Sequence, residues 1–332
     1  MKPLQEYEKG VEKRMCQVID QIPQMSYTVG DLDRAIALFT EELGVGPFLN
    51  VKFGHVDGDD GFNEGAMPIE DYYLEGEYVG SYGIRMGAVT WDNGIQLELI
   101  QPMENQSLFR QYLDSHGPGP QHIAVHSSLP FTETLGRMAA AGNPLASVCK
   151  VDRAEDCAFV HHKGSLGTDL EVQYRPPDYH LPEGEPPLIF PNREKVPKPL
   201  LSKLTGIAFG VREIAPVRAL LEERYGIGPW VLSGPDVHGG RHAVCESLNL
   251  RLELVAPPDP EDGGDVLAAY LKKNGGNGIF YITLEAPQGL EAPLKAIERA
   301  GGKVIFQSEE AALVDFTELF GGYFRIEAAQ QR

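Results

Sequence analysis

Four polar side chains lie at strand-like positions in the first half of the sequence, each beside apolar neighbours. Gln24 opens a strand-like run, and Glu98 replaces an apolar residue in the alternating segment IQLELI. His122 opens the segment HIAV, and Glu171 lies inside DLEVQY. Side chains two residues apart in a strand share one face of the sheet, so curved strands could bring all four onto one concave surface.

Together these residues could bind a metal ion. One imidazole and three oxygen ligands suit a divalent ion such as Zn, Co, Ni or Mn, and two waters or substrate oxygens would complete an octahedron. Taken singly, the glutamates would be edge-strand charges and His122 a hydrogen-bonded core histidine. Because the four residues occupy matching places, the sequence predicts a divalent metal site.

The elements that must position these residues repeat along the chain. A strand-like run is followed by an amphipathic helix and by further strand-like runs, and this β-α-β-β-β pattern occurs four times. Helices combined with antiparallel strands predict an α+β protein. The candidate ligands fall on the first or the last strand of the first two units.

An internal duplication accounts for this pattern. VGDLDRAIALFTEELGVGPF at 29–48 matches VREIAPVRALLEERYGIGPW at 211–230 with an offset of 182 residues. LEL at 97–99 matches LEL at 252–254 with an offset of 155, so the first half carries 27 extra residues around 49–90.

A connector separates the two halves. Residues 175–199 contain eight prolines, which preclude a helix and indicate an extended linker. The sequence therefore predicts four segments: an N-terminal helical extension at 1–20, a metal-binding domain at 21–175, a proline-rich linker at 176–202 and a degenerate second domain at 203–332.

The second half lacks most of the candidate ligands. Gly206 takes the first place and Tyr281 takes the histidine place, so only Glu253 and Glu327 remain. Glycine has no side-chain ligand and a neutral tyrosine is a poor one. We expect one metal ion per chain, in the first half. The second half would be a scaffold, a surface for homodimer formation or a wall of the pocket.

Charge and composition restrict the partners. The net charge of −19 argues against nucleic acid and anionic membranes, which bind clustered cations. The apolar stretches are too short to cross a bilayer, and the N-terminus lacks the apolar region of a signal peptide. The four cysteines form no CxxC pair, which favours free thiols and a cytoplasmic protein.

These features resemble the vicinal oxygen chelate superfamily, which includes glyoxalase I, methylmalonyl-CoA epimerase, extradiol dioxygenases and bleomycin-resistance proteins. The resemblance is carried by residues 29–48, by LELIQP at 97–102, by GPGPQHIAV at 117–125 and by FVHHKGSLGTDLEV at 159–172. It implies two tandem glyoxalase-like domains, with the four candidates on the family's ligand places. The ligand set resembles that of glyoxalase I, whereas FVHHK resembles an epimerase segment with His162 in place of proline.

The resemblance implies an isomerase or epimerase that moves a proton next to a carbonyl through a metal-bound enolate. Glu171 and Glu98 would flank the ion, and either could act as the base. The expected substrate is a small carbonyl compound, either aromatic or a thioester. His161, Tyr82 and Arg85 are candidate substrate contacts, although His161 could equally face solvent or core, and Tyr82 could simply pack across strands.

Three other functions stay open at this point. A metal-free ligand-binding protein of the resistance type would explain the eroded second half. A glutathione-dependent lyase would use the same ligands but needs a positively charged groove. An extradiol dioxygenase needs a second histidine in place of Gln24 or Glu98, which His55 or His116 could supply from outside the pattern.

Overall fold

The computed structural model describes residues 18–151, 158–162, 166–174, 188–190, 199–234, 240–259 and 265–329. Most of the predicted N-terminal extension at 1–20 and of the linker at 176–202 lies outside these ranges, as do Cys16 and Cys157. The domain boundaries stay a prediction.

The described residues form two mixed sheets. The strands of the first sheet are β1 (Gln21–Thr28), β2 (Phe48–Phe53), β3 (Ile69–Leu74), β4 (Glu77–Gly80), β5 (Ile84–Thr90), β6 (Gln96–Pro102), β7 (Gly119–His126), β8 (Leu145–Val151), β9 (Ala158–His162), β10 (Asp169–Tyr174) and β11 (Leu188–Phe190). The strands of the second sheet are β12 (Lys203–Gly210), β13 (Val231–Ser233), β14 (Arg241–Cys245), β15 (Arg251–Ala256), β16 (Gly278–Ala286), β17 (Lys303–Gln307), β18 (Ala311–Asp315) and β19 (Tyr323–Ala328).

Helices join these strands and cover the sheets. They are α1 (Leu32–Ala37), α2 (Asp60–Asn63), α3 (Leu108–His116), α4 (Phe131–Ala140), α5 (Ile214–Leu220), α6 (Val266–Lys273), α7 (Glu291–Arg299) and α8 (Thr317–Phe320). Single π-helical turns extend α1 through Leu38–Glu42 and α5 through Leu221–Tyr225. None of the described helices has the length and apolar character that a bilayer crossing requires.

The topology confirms the predicted α+β class and its four modules. The strand order is β11-β2-β5-β6-β1-β7-β10-β9-β8-β3-β4 in the first sheet and β13-β14-β15-β12-β16-β19-β18-β17 in the second. In both sheets the first strands of two modules pair antiparallel at the centre, as β1 pairs with β7 and β12 with β16. Each first strand also pairs in parallel with the last strand of its own module.

Alternation along the strands separates two faces of the first sheet. Met25 and Tyr27 of β1 belong to the core beneath the helices. Asp31 caps the N-terminus of helix α1, because its carboxylate accepts the Arg34 backbone N–H at 3.0 Å, and the helix buries Leu32 in the same core. The polar side chains of β1 are left on the opposite, concave face.

The extra residues of the first half cross toward the second module. They form α2 and the hairpin β3–β4, and β3 pairs antiparallel with β8. Beneath them an apolar cluster on the concave side includes Tyr72, Tyr82 and Phe109. The insertion and α3 therefore add an aromatic wall to the concave face.

The two domains share one core and exchange equivalent contacts. Val18 donates its backbone N–H to the Tyr225 carbonyl at 3.1 Å, and Leu200 donates to the Leu43 carbonyl at 3.0 Å. Both donors and both acceptors differ by the repeat offset of 182 residues. The domains are thus related by an approximate two-fold axis.

Candidate metal centre

Five adjacent strands of the first sheet, in the order β6-β1-β7-β10-β9, position the candidate ligands. Ser26 of β1 lies opposite Glu98 on one side and opposite His122 on the other. Glu171 of β10 lies opposite His161 of β9. Since paired residues share a face, these side chains all project from the concave surface.

Three of the predicted ligands make direct contacts. His122 Nε2 lies 2.8 Å from Glu171 Oε2 and 3.6 Å from Glu98 Oε2. Their side chains are 0%, 4% and 10% exposed respectively. Burial of two carboxylates beside one imidazole is costly without a compensating cation, and it is typical of a site that binds one.

The fourth predicted ligand, Gln24, lies at the edge of this group. Its amide oxygen accepts a hydrogen bond from Gln173 Nε2 at 3.4 Å, and the same nitrogen donates to Glu171 Oε1 at 2.6 Å. Gln24 is 6% exposed, so it is buried with the others. All four predicted residues are therefore brought together on the concave face.

His161 joins the cluster as a fifth member. Its Nε2 lies 3.7 Å from Glu171 Oε2. One ligand atom each from His122, His161 and Glu171 lies within 4.8 Å of the others. The sequence presented two adjacent histidines in FVHHK, and strand pairing alone decides which one faces inward: His162 contacts the Asn143 carbonyl on the other face at 3.0 Å.

The donor set fits a divalent cation. His122 Nδ1 donates to Gln121 Oε1 at 2.5 Å, so Nε2, on the other side of the ring, is the nitrogen that faces the carboxylates and could bind a metal ion in place of its proton. Neither His122 Nε2 nor His161 Nδ1 has an aligned hydrogen bond within the described part of the chain. No lysine or arginine described in the structure pairs with Glu98 or Glu171.

The electrostatics show what a cation would change. Burial raises the pKa of Glu98 to about 7, against the effect of His122, and the charge of Glu171 raises it further. Glu171 has its pKa lowered to about 2, because its contacts with His122, His161 and Gln173 outweigh burial. Burial and the neighbouring His122 lower the pKa of His161 to about 3, so this imidazole is neutral. A divalent ion would favour the ionised form of both carboxylates.

A family model described as the Glyoxalase/Bleomycin resistance protein/Dioxygenase superfamily matches residues 23–160. Most of the first domain is therefore similar to this superfamily. The resemblance drawn from the sequence motifs is thereby confirmed, and the matched range contains three of the four predicted ligands, Gln24, Glu98 and His122.

One solved structure shares its fold with both domains of the chain. A mutant of 4-hydroxymandelate synthase from Streptomyces coelicolor superposes with a TM-score of 0.60 and covers 95% of this chain and 94% of its own. The two sequences are 13% identical, so the likeness concerns the fold alone. No curated protein matches the chain in sequence.

Two other predicted site residues, Arg85 and Tyr82, lie apart from the four predicted ligands. Arg85 is a correction, because it lies on the helix-facing side of β5 and pairs with Asp33 at 2.7 Å near the surface. Tyr82 is buried in the aromatic wall, with its hydroxyl 3.8 Å from Cys149 Sγ and its ring 5.9 Å from that of Phe109. Phe109 in turn contacts both histidine rings of the cluster.

The histidines proposed to complete a dioxygenase site lie elsewhere. His55 is exposed beside Asp57, and His116 stacks on Tyr112 at the end of α3. His161 is the second histidine that the structure brings to the cluster.

Strand register corrects one predicted position in the second domain. Tyr281 lies opposite Ala208, as His122 lies opposite Ser26, so the two residues are equivalent. Counting along the paired last strand then places Arg325 at the position of Glu171, and Glu327 two residues beyond it. The prediction that Glu327 keeps that glutamate was wrong.

Arginine contacts satisfy the remaining glutamate of the second domain. Glu253 is fully buried and accepts Arg251 Nε at 2.8 Å and the Tyr281 hydroxyl at 2.9 Å. His242 Nε2 lies 2.8 Å away, and Arg325 completes the set at 3.4 Å. These contacts lower the pKa of Glu253 to about 2 despite its burial. The second domain thus supplies its own cations.

Proposed function

We propose that the chain is a divalent-metal-dependent isomerase or epimerase that moves a proton next to the carbonyl group of a small molecule. The observation that supports this most is the placement of Glu98 and Glu171 on the two sides of His122. They come from β6 and β10, which flank the central pair β1 and β7. Two carboxylates approaching one point from opposite sides suit proton removal and return.

Gln24, Glu98, His122 and Glu171 would hold the ion, with Zn, Co, Ni or Mn as candidates. When bound, the ion would polarise the substrate carbonyl and stabilise the negative charge that develops as the proton leaves. Glu98 is the more exposed of the two carboxylates, at 10% against 4%, and it has fewer short contacts. We therefore assign it as the first proton acceptor, with Glu171 as its counterpart.

The aromatic residues beside the site indicate which kind of substrate could bind. The Phe109 ring lies 6.0 Å from that of His122 and 5.7 Å from that of His161, and Tyr82 packs behind it. Apolar walls exclude much of the water, which strengthens the electrostatic interactions around the reacting group. They favour a carbonyl compound with an aromatic or other large apolar group, including a thioester.

A second candidate function rests on one observation. His122, His161 and Glu171 form a cluster of two histidines and one carboxylate, the set used by non-haem Fe(II) oxygenases. In this dioxygenase alternative, His161 would be a ligand and Glu98 would not.

The two candidates are separated by exchanging one residue at a time. The purified protein, loaded separately with Zn, Co, Ni, Mn or Fe(II), is offered α-substituted aromatic ketones, 2-oxo acids and thioesters. Solvent-deuterium incorporation and oxygen uptake are measured in parallel. Our proposal expects deuterium incorporation that Glu98→Gln abolishes and His161→Gln largely retains. Iron-dependent oxygen uptake lost in His161→Gln but kept in Glu98→Gln would overturn it in favour of the dioxygenase.

A further inference from the structure

Beside the metal-binding cluster, a short chain of hydrogen bonds leads from His122 toward the protein surface. Gln121 Oε1 accepts the proton of His122 Nδ1 at 2.5 Å, and Gln121 Nε2 donates to Asp169 Oδ2 at 2.8 Å. Gln121 is 1% exposed, whereas Asp169 is half-buried. We infer that Gln121 and Asp169 are positioning residues that select the tautomer of His122 and aim its Nε2 at the metal site, an inference that rests on the proposed metal-dependent function.

The donor–acceptor direction of these hydrogen bonds follows from the chemistry of Asp169, the last residue in the series. A carboxylate only accepts hydrogen bonds, so the Gln121 amide must turn its NH₂ group toward Asp169. Its oxygen is then turned toward His122, and an oxygen can only accept. When a metal ion displaces the proton from Nε2, the remaining proton of the imidazole is therefore held on Nδ1, and the Nε2 lone pair is free for the metal.

A local irregularity in the strand makes this contact possible. Adjacent residues of a regular strand point to opposite faces, so Gln121 and His122 would normally diverge. The pairing of β1 with β7 passes from Ser26 opposite His122 to Tyr27 opposite Pro120, which leaves Gln121 without a partner. Such bulges re-aim a side chain, and here the Gln121 amide reaches the ring of its neighbour.

The second domain provides an internal comparison. The same bulge occurs between β12 and β16, where the register with β12 passes from Tyr281 to Ile279 and skips Phe280. The residue paired with Tyr281 on β19, equivalent to Asp169, is Tyr323. The rings of Phe280 and Tyr323 pack 4.9 Å apart. The domain without the histidine therefore keeps the bulge but has apolar packing in place of both polar partners.

The test measures metal affinity and the proton position on the full-length protein. Gln121→Met keeps the size of the side chain and removes both hydrogen bonds. We expect its affinity for Co²⁺ and Zn²⁺ to fall about 10- to 100-fold, the range seen when outer partners of ligand histidines are removed. Gln111→Met, on the exposed side of α3, is the matched control and should leave affinity unchanged.

Nitrogen-15 NMR of the zinc-loaded protein reports which ring nitrogen of His122 carries the proton. The wild type should show His122 protonated on Nδ1, and Gln121→Met should shift the population toward Nε2. Gln121→Glu retains an acceptor for Nδ1 and should keep the wild-type tautomer, although a buried carboxylate is the greater disturbance to packing. Asp169→Asn replaces the carboxylate by an amide that can donate as well as accept, so the orientation of the Gln121 amide is no longer fixed. This variant should give an intermediate tautomer ratio. It also serves as the test variant where Gln121→Met does not fold.

The outcomes separate this inference from the proposed function. If the wild type binds none of the metals, the proposed function fails and this inference fails with it. If the wild type binds metal, His122→Ala loses it, and Gln121→Met and Asp169→Asn keep both affinity and tautomer, the positioning role alone is overturned.

Discussion

The two domains differ in how the negative charge of their buried glutamates is balanced. In the first, Glu98 and Glu171 surround His122 and have no described arginine or lysine partner. In the second, the position of Glu171 is taken by Arg325, and the one remaining central glutamate, Glu253, is paired with arginines. A fold that buries a carboxylate must provide positive charge, and the chain does so from its own side chains in one domain and, we propose, from a metal ion in the other.

This difference between the domains requires that the metal ion bind only in the first domain. His122→Ala should reduce the metal content from about one divalent ion per chain to near zero, because it removes the imidazole that contacts both carboxylates. The loss of affinity should exceed the roughly 100-fold upper limit expected for an outer partner. Elemental analysis and calorimetric titration measure it.

The matched control for that experiment is Tyr281→Phe, which changes the equivalent position of the second domain. It should leave the metal content unchanged. Retention of metal by His122→Ala, or its loss in Tyr281→Phe, would show that the assignment of the two sites is wrong.

Removal of Arg325, a buried cation of the second domain, should have the next largest effect, which is on stability. Arg325→Met should lower the free energy of unfolding by about 3 kcal/mol, near the lower end for breaking a buried ion pair because Arg251 still contacts Glu253. Chemical denaturation measures this loss. Arg85→Met removes an arginine whose partner Asp33 is 70% exposed, and it should cost less than about 1 kcal/mol.

A double variant sharpens the interpretation. Arg325→Met combined with Glu253→Gln should recover part of the lost stability, because no buried charge is then left without its partner. An additive loss in the double variant would argue against the ion pair as the cause.

Acid stability gives a smaller and gradual effect. The pKa of Glu253 is lowered in the folded protein to about 2 from an ordinary 4.5, so its ionised form stabilises the fold above pH 4.5. That contribution, on the order of 2 to 3 kcal/mol, is lost as the pH falls from about 4.5 to 2. Glu253→Gln should flatten this part of the stability profile. An unchanged pH slope in the variant, followed by circular dichroism, would contradict the assignment.

The sequence predicted most of the architecture because hydrophobic patterning and the internal repeat are both readable without a structure. The four modules and the concave placement of Gln24, Glu98, His122 and Glu171 follow from strand periodicity. The resemblance to the superfamily then supported that placement.

Strand register accounts for what was missed. Matching glutamate with glutamate chose Glu327, but pairing with β16 shows that the strand is displaced by two residues and places Arg325 there. Arg85 lies on the helix-facing side of β5, whereas His161, which the sequence left undecided, faces the site through its pairing with Glu171. The contact of Gln121 with His122 could not be predicted from the sequence, because a bulge interrupts the alternation of side chains on which such predictions depend.

The exchanged contacts between the domains bear on how such a chain can evolve. Asn249 Nδ2 donates to the Ile22 carbonyl, and Asn93 Nδ2 donates to the Leu204 carbonyl. The two acceptors, Ile22 and Leu204, are again 182 residues apart. Tyr27 and Phe39 of the first domain also pack against Phe320 of the second. Each duplicate thus completes the fold of the other, so the second copy is free to lose its chemistry but cannot be deleted without exposing the core of the first.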